Sequence, residues 1–180
     1  MNDEGNLIDF AGSVLEHDAL LALCTGNPPL IEPFCPDQVQ PNGVELTLAE
    51  VYRFSEYGVL PAPGEGERRL PDSYVIKPNR DGWWHLDPGP YRIIYNEYVC
   101  IPAFLCAIAR PRSSVLRMGA SIETALWDSG YEGRSESLLV VQNAAGFRVQ
   151  RGARLIQLVF MTLGKNAGKT YEGRYRGENK

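Results

Sequence analysis

Pro90-Tyr91-Arg92-Ile93-Ile94-Tyr95-Asn96 is the stretch that decides the fold class. Tyr91, Ile93 and Tyr95 alternate with Arg92, Ile94 and Asn96, a period of two that sends successive side chains to opposite faces of an extended chain. Val44, Leu46 and Leu48 alternate with Gly43, Glu45 and Thr47 in the same way. Leu139 and Val141 on one side, Phe147 and Val149 on the other, flank a turn signal at Asn143-Ala144-Ala145-Gly146. Leu155-Ile156-Gln157-Leu158-Val159-Phe160 is an apolar run of strand length. Short strands punctuated by Pro and Gly indicate an all-β sandwich or barrel.

One N-terminal helix is legible ahead of the strands. Ser13 and Glu16 have capping-box spacing, and Val14, Leu15, Ala19, Leu20 and Leu23 recur at helical intervals. Gly26 can close this helix, and Pro28-Pro29 forbid its continuation. Residues 58–72 hold three Pro and three Gly among charged residues and read as an exposed loop, since strand-like sequence resumes at once. Residues 164–180, rich in Gly, Lys and Arg and poor in aliphatics, read as a flexible tail. The whole chain, 1–180, is expected to be a single domain.

Composition narrows the function. With 180 residues the chain buries enough surface to need neither disulfide nor metal for its core. A net charge of −4 argues against a duplex-DNA binder, so an anionic ligand must be held by a local cluster of arginines. Ala19 to Cys24 is too short to span a bilayer, and the acidic residues before it have the wrong sign for a leader peptide. No nucleic-acid or membrane partner is expected. Cys24, Cys35, Cys100 and Cys106 form no C-x-x-C pair and read as reduced thiols of a cytoplasmic protein. Two scattered histidines, His17 and His85, offer neither a zinc centre nor a serine-protease triad, and there is no phosphate-binding P-loop. The chemistry is left to carboxylates, arginines and backbone groups.

Two segments carry such groups. In Arg110-Pro111-Arg112-Ser113-Ser114-Val115-Leu116-Arg117-Met118-Gly119, Ser113 can cap a short helical turn flanked by Arg112 and Arg117 and closed by Gly119. That pattern suits a phosphate; its rival is an ordinary capped turn with solvated arginines. In Ala125-Leu126-Trp127-Asp128-Ser129-Gly130-Tyr131-Glu132-Gly133-Arg134, Asp-Ser-Gly-Tyr reads as a tight hairpin turn with a carboxylate at its mouth. An aspartate there is a turn-former or a reactive group; Tyr131 is a packing aromatic or a ligand contact.

Taken together, R-S-S-x-x-x-R-x-G followed by W-D-x-G-Y-x-G resembles the dUTPase and dCTP deaminase superfamily, its archaeal-type dUTP diphosphatase branch in particular. Gln40 to Leu46 resembles the family's first motif, with Glu45 where Asp is usual; Asp87 to Ile93 resembles its P-G-x-Y strand start. Gly152 to Leu158 resembles G-x-R-x-x-Q-L, and Tyr171 to Glu178 resembles the closing tail, with Arg174 for Lys and Glu178 for Gln. The resemblance implies a distorted, jelly-roll-like β-barrel of the dUTPase-like (β-clip) kind, with one N-terminal helix and a short helical turn. It implies that Arg112, Ser113, Ser114 and Arg117 hold a triphosphate and that Asp128 is the catalytic carboxylate. The backbone around Ala125 and Trp127 would read the pyrimidine, Tyr131 would pack on the deoxyribose, Gln157 would touch the nucleotide, and Tyr171, Arg174 and Glu178 would close over it.

The implied reaction is hydrolysis of dUTP to dUMP and pyrophosphate by an Asp-activated water. Mg2+ would be held through the phosphates, with no direct protein ligand and Glu45 at most an indirect one. The implied assembly is a homotrimer whose sites lie between subunits. The alternatives are dCTP deamination, alone or joined to hydrolysis, and a regulator that binds nucleotide without hydrolysing it. Deaminases of the family carry a Glu ten residues beyond the Asp, where this chain has Leu138, which cannot shuttle protons. Glu136 shares that strand face and is the remaining acid/base candidate. Otherwise it is structural, pairing with Arg134 or Arg148 or contacting another subunit.

Overall fold

The computed structural model describes residues 12–180; the acidic opening residues read against a leader peptide lie outside them. Eleven strands and two helices follow one another as α1 (His17–Cys24), β1 (Ile31–Glu32), β2 (Val39–Gln40), β3 (Gly43–Phe54), β4 (Ser73–Ile76), β5 (Trp83–Leu86), β6 (Gly89–Cys100), β7 (Leu105–Pro111), α2 (Ser113–Arg117), β8 (Ala120–Glu123), β9 (Glu132–Val141), β10 (Phe147–Gln150) and β11 (Arg154–Thr162). The main sheet runs β7-β11-β3-β6-β9-β8, with β1 added to β6 and both β2 and β4 added to β3. β5 and β10 form a separate antiparallel pair.

The sheet path nearly closes on itself as a barrel. Just past β8, Trp127 exchanges two backbone hydrogen bonds of 2.9 Å with Ala107 of β7, the strand at the opposite end of the path. The alternation seen in the sequence is the reason a core exists inside: Tyr91, Ile93, Tyr95, Leu46, Leu48, Leu139, Val141, Phe147 and Val149 are all buried. The turn Asn143–Gly146 forms, with Gly146 N–H donating to Asn143 O. It carries the chain out of the main sheet, so that β10 pairs with β5 and not with β9.

The helix begins later than its spacing predicts. Residues 12–15 run along the end of β11, with Ser13 N–H donating to Thr162 Oγ1 and Leu15 N–H to Phe160 O. Ser13 is therefore held in extended backbone, and the cap is Glu16, whose carboxylate accepts from Asp18 and Ala19 N–H. α2, by contrast, begins one residue earlier than a Ser113 cap implies: Arg112 occupies the cap position with no side-chain bond, and Ser113 is the first helical residue.

Two charges sit where alternation demands apolar groups or solvent. Glu97 falls on the inward face of β6 and is 2% exposed. Its oxygens accept from Gln38 Nε2 (2.8 Å), Thr47 N–H (2.9 Å) and Thr47 Oγ1 (2.6 Å), so the buried acid has three donors. Glu45 is equally buried because β2 and β11 flank that end of β3 on both sides. Glu97→Ala strands those donors and is expected to lower stability by about 2 to 4 kcal/mol, read as a reduced denaturant midpoint.

Candidate active site

The turn after Trp127 is fixed from three sides. The Trp127 backbone is bridged to Ala107, its indole Nε1 donates to Ser135 Oγ at 2.6 Å, and the Ser129 hydroxyl donates to Leu105 O. Tyr131 N–H donates to Asp128 O at 3.1 Å across Ser129-Gly130, and Gly130 has φ +83°, the left-handed conformation such a turn requires. Trp127, Ser129 and Tyr131 are buried, which leaves Asp128 turned outward and exposed.

Asp128 stands at the mouth of a cleft of about 730 Å³ shared with Ala125, Trp127, Tyr131, Glu136, Tyr171 and Glu178. A second groove of about 640 Å³ on the tail side also includes Asp128 and Tyr171, along with Lys169. The cleft thus gathers most of the sequence-predicted residues on the hairpin, on β9 and in the tail. The backbone N–H of Trp127 is committed to Ala107 and its indole N–H to Ser135, so donors from this edge must come from its neighbours.

The tail packs on the chain's own hairpin. Arg134 N–H donates to Glu178 O, Gly177 N–H to Glu132 O at 2.7 Å, and Arg176 pairs with Glu132 at 2.8 Å. Tyr131 Oη lies 2.7 Å from Glu178 Oε1 and 3.2 Å from Ser135 Oγ. The Tyr171 ring meets Tyr131 edge-on at 5.8 Å, while Arg174 is exposed. Burial pushes the Tyr131 phenol well above its ordinary range. Burial also raises the Glu178 carboxyl, opposed by the hydrogen bond from Tyr131 and reinforced by the charge of Glu136.

The second predicted group lies apart from the cleft. Arg112, Ser113, Ser114, Arg117 and Gln157 are not among its lining residues. Arg112 Nε pairs with buried Glu45 at 2.6 Å, and Arg154 Nη1 reaches the other Glu45 oxygen at 3.2 Å. Ser113, Ser114 and Arg117 are exposed on α2. Gln157 lies opposite both Glu45 and Arg110 in β11. It packs over Gly43, where a Cβ would come within 2.7 Å of its Cγ.

Glu136 pairs with Arg92 at 2.6 Å, a correction to the expected Arg134 or Arg148. In β9 its neighbours across the strand pairing come from β6, and Arg92 is the β6 cation on that face, whereas Arg148 belongs to the separate β5–β10 pair. Sequence reading also missed a wall of the cleft: Phe54, Leu70, Pro71, Asp72 and Ser73 line it, although 58–72 reads as plain loop. Val59 and Arg69 pair within that segment and fold it back as an arm, and the only sequence signal was its density of Pro and Gly.

The fold and the cleft define a class first: an antiparallel β-barrel with an exposed carboxylate at a cleft mouth and a separate arginine–serine segment. The description dCTP deaminase-like matches residues 14–163, and the chain belongs to that family. It is 46% identical over 169 residues to the "Probable deoxyuridine 5'-triphosphate nucleotidohydrolase" of Methanosarcina mazei, a match covering 93% of this chain and 98% of that protein. The protein of the same name from Methanococcoides burtonii is 45% identical over 169 residues, covering 93% and 99%. Among solved structures, a 2'-deoxycytidine 5'-triphosphate deaminase from Agrobacterium tumefaciens superposes with a TM-score of 0.64 at 22% identity, over 84% of this chain. This chain spans about half of that deaminase (49%), and the likeness is one of fold.

Because the Glu178 carboxyl is raised above the usual 4.5, the docked tail is most stable with Glu178 protonated and loosens as pH rises through that raised value. Glu178→Gln keeps an acceptor for Tyr131 without the charge. Amide NMR of Gly173 and Gly177 between about pH 4 and about pH 8 should then show a tail whose docking has lost this pH dependence and is tighter at neutral pH.

Proposed function

We propose that this protein is a dUTP diphosphatase, converting dUTP and water to dUMP and pyrophosphate. The observation that carries the reading is Asp128: exposed at the cleft mouth, held there by a fixed turn, and without an ion-pair partner among the described residues. The names of relatives at 45–46% identity over nearly the whole chain support the substrate.

Asp128 accepts the proton of a water as it attacks the α-phosphorus, and the pyrophosphate leaves from the opposite side. A carboxylate oxygen at this turn is suited to orienting that water. Tyr131 packs on the deoxyribose, the backbone around Ala125 and Trp127, apart from the Trp127 N–H and carbonyl that are bonded to Ala107, faces the pyrimidine, and Tyr171, Arg174 and Glu178 close the site against solvent. Arg112, Ser113, Ser114 and Arg117 hold the triphosphate, with Gln157 beside them. Since these residues do not line the cleft of their own chain, we place them against Asp128 of a neighbouring subunit, in a homotrimer working on the cytoplasmic nucleotide pool.

Among the described residues no three carboxylate, histidine or cysteine side chains converge on a metal position, and both Glu45 oxygens face arginines. These residues do not make a protein cage for Mg2+; the ion would be held by the triphosphate, whose charge it would offset. Deamination has less support. Leu138 has no ionisable group, and Oε1 of Glu136 already accepts from Arg92 and Asn179.

The test is direct. Protein, Mg2+ and dUTP should release pyrophosphate, while dCTP in parallel releases no ammonia. Asp128→Asn should cut turnover by about three orders of magnitude or more while nucleotide still raises the melting temperature. A dUTP-dependent rise in melting temperature without pyrophosphate from the unsubstituted protein would make it a regulator instead.

A further inference from the structure

Arg92 sits where four separately folded parts of the cleft wall meet. Its Nη1 pairs with Glu136 of β9 at 2.6 Å, and its Nη2 donates to Ser73 Oγ, at the end of the arm, at 3.0 Å. Its guanidinium lies 4.0 Å from the ring centroid of Tyr52 on β3. Glu136 in turn accepts from Asn179 Nδ2 in the tail at 3.2 Å. Arm and tail also touch directly, with Arg68 stacked 5.7 Å over the Tyr175 ring.

A part-buried ion pair is weak evidence for stability, because an apolar pair of the same volume often does as well. Arg92 even leaves its Nε buried without a hydrogen-bond partner, a cost that a purely stabilising contact would avoid. What the planar fork offers is direction: donors in one plane and a face to stack, which fix several neighbours at once. We propose that Arg92 is a positioning residue that, through Glu136 and Ser73, ties the tail and the β4 end of the 58–72 arm to the floor of the cleft. It touches no reacting atom. It sets how far the two jaws stand from the nucleotide, and it makes Glu136 a tether for the tail and not a proton shuttle.

The test uses Arg92→Met, which keeps length and removes the fork, with Glu136→Gln as a milder second variant. Amide hydrogen exchange reads the tether without reference to any substrate. In Arg92→Met the Arg134, Gly177 and Glu178 amides should exchange about tenfold faster, while those of β11 keep their rate. Kinetics rest on the dUTP reading: KM should rise about fivefold and kcat should fall by less, because the lost contribution is to binding geometry. Arg92→Lys should recover only part of either change. Unchanged tail exchange in a folded Arg92→Met protein overturns the proposal, as does a fall in kcat with KM fixed. If Arg92→Met speeds exchange in β11 as well, Glu136→Gln decides: a faster tail alone supports the tether, and an unchanged tail refutes it. A protein that shows the exchange effect but does not turn over dUTP keeps the tether and loses the substrate assignment.

Discussion

Two backbone hydrogen bonds between Trp127 and Ala107 are the constraint on which the rest depends. They join the two ends of a long sheet path and so turn an open sheet into a nearly closed barrel. They also fix the start of the turn that presents Asp128. The Trp127 indole on Ser135 and the Ser129 hydroxyl on Leu105 O hold the same short segment from other directions. Closure and presentation are thus one event: the residue that completes the barrel immediately precedes the acid.

The charges are arranged in two ways that serve different ends. Arg112 is braced by an acid buried beneath it, Glu45, which also holds Arg154. A buried carboxylate between two guanidinium groups keeps its own charge compensated and limits the motion of both arginines. Glu has one more methylene than the Asp usual at this position, and here it reaches both partners. Around the cleft the acids are Asp72, Asp128, Glu136 and Glu178, with Arg92 the cation among the lining residues. Such a lining favours the neutral end of a nucleotide and disfavours its phosphates, consistent with phosphate groups being held elsewhere.

Much of this was legible in the residues. Period-two alternation located β3, β6, β9 and β10, because a strand with one buried face must alternate, and an apolar run of strand length located β11. The Asp-Ser-Gly-Tyr turn was legible because its geometry demands glycine at one position. The start of α1 was not: Ser13 has ideal capping chemistry, but a ladder contact with Thr162, nearly 150 residues away, claims its backbone. Glu45 and Glu97 look solvent-facing or out of place until their partners, far along the chain, are known. The arm and the tail were read as unstructured for the same reason. The tail's contacts on Tyr131, Glu132, Arg134 and Glu136 and the arm's stacking of Arg68 on Tyr175 are all long-range, and local composition carries no trace of them.

The central claim is that the acid and the phosphate-holding segment act together only across two chains. Mixing subunits tests it most directly. Asp128→Asn protein and Arg112→Ala protein, each nearly inactive alone, are unfolded together in equal amounts and refolded. If sites are shared between neighbours, random assembly leaves about one site in four with both groups intact, and turnover recovers to about a quarter of the parental rate. Turnover no greater than the sum of the two separate variants would mean that each chain builds its site alone, and the account would be wrong.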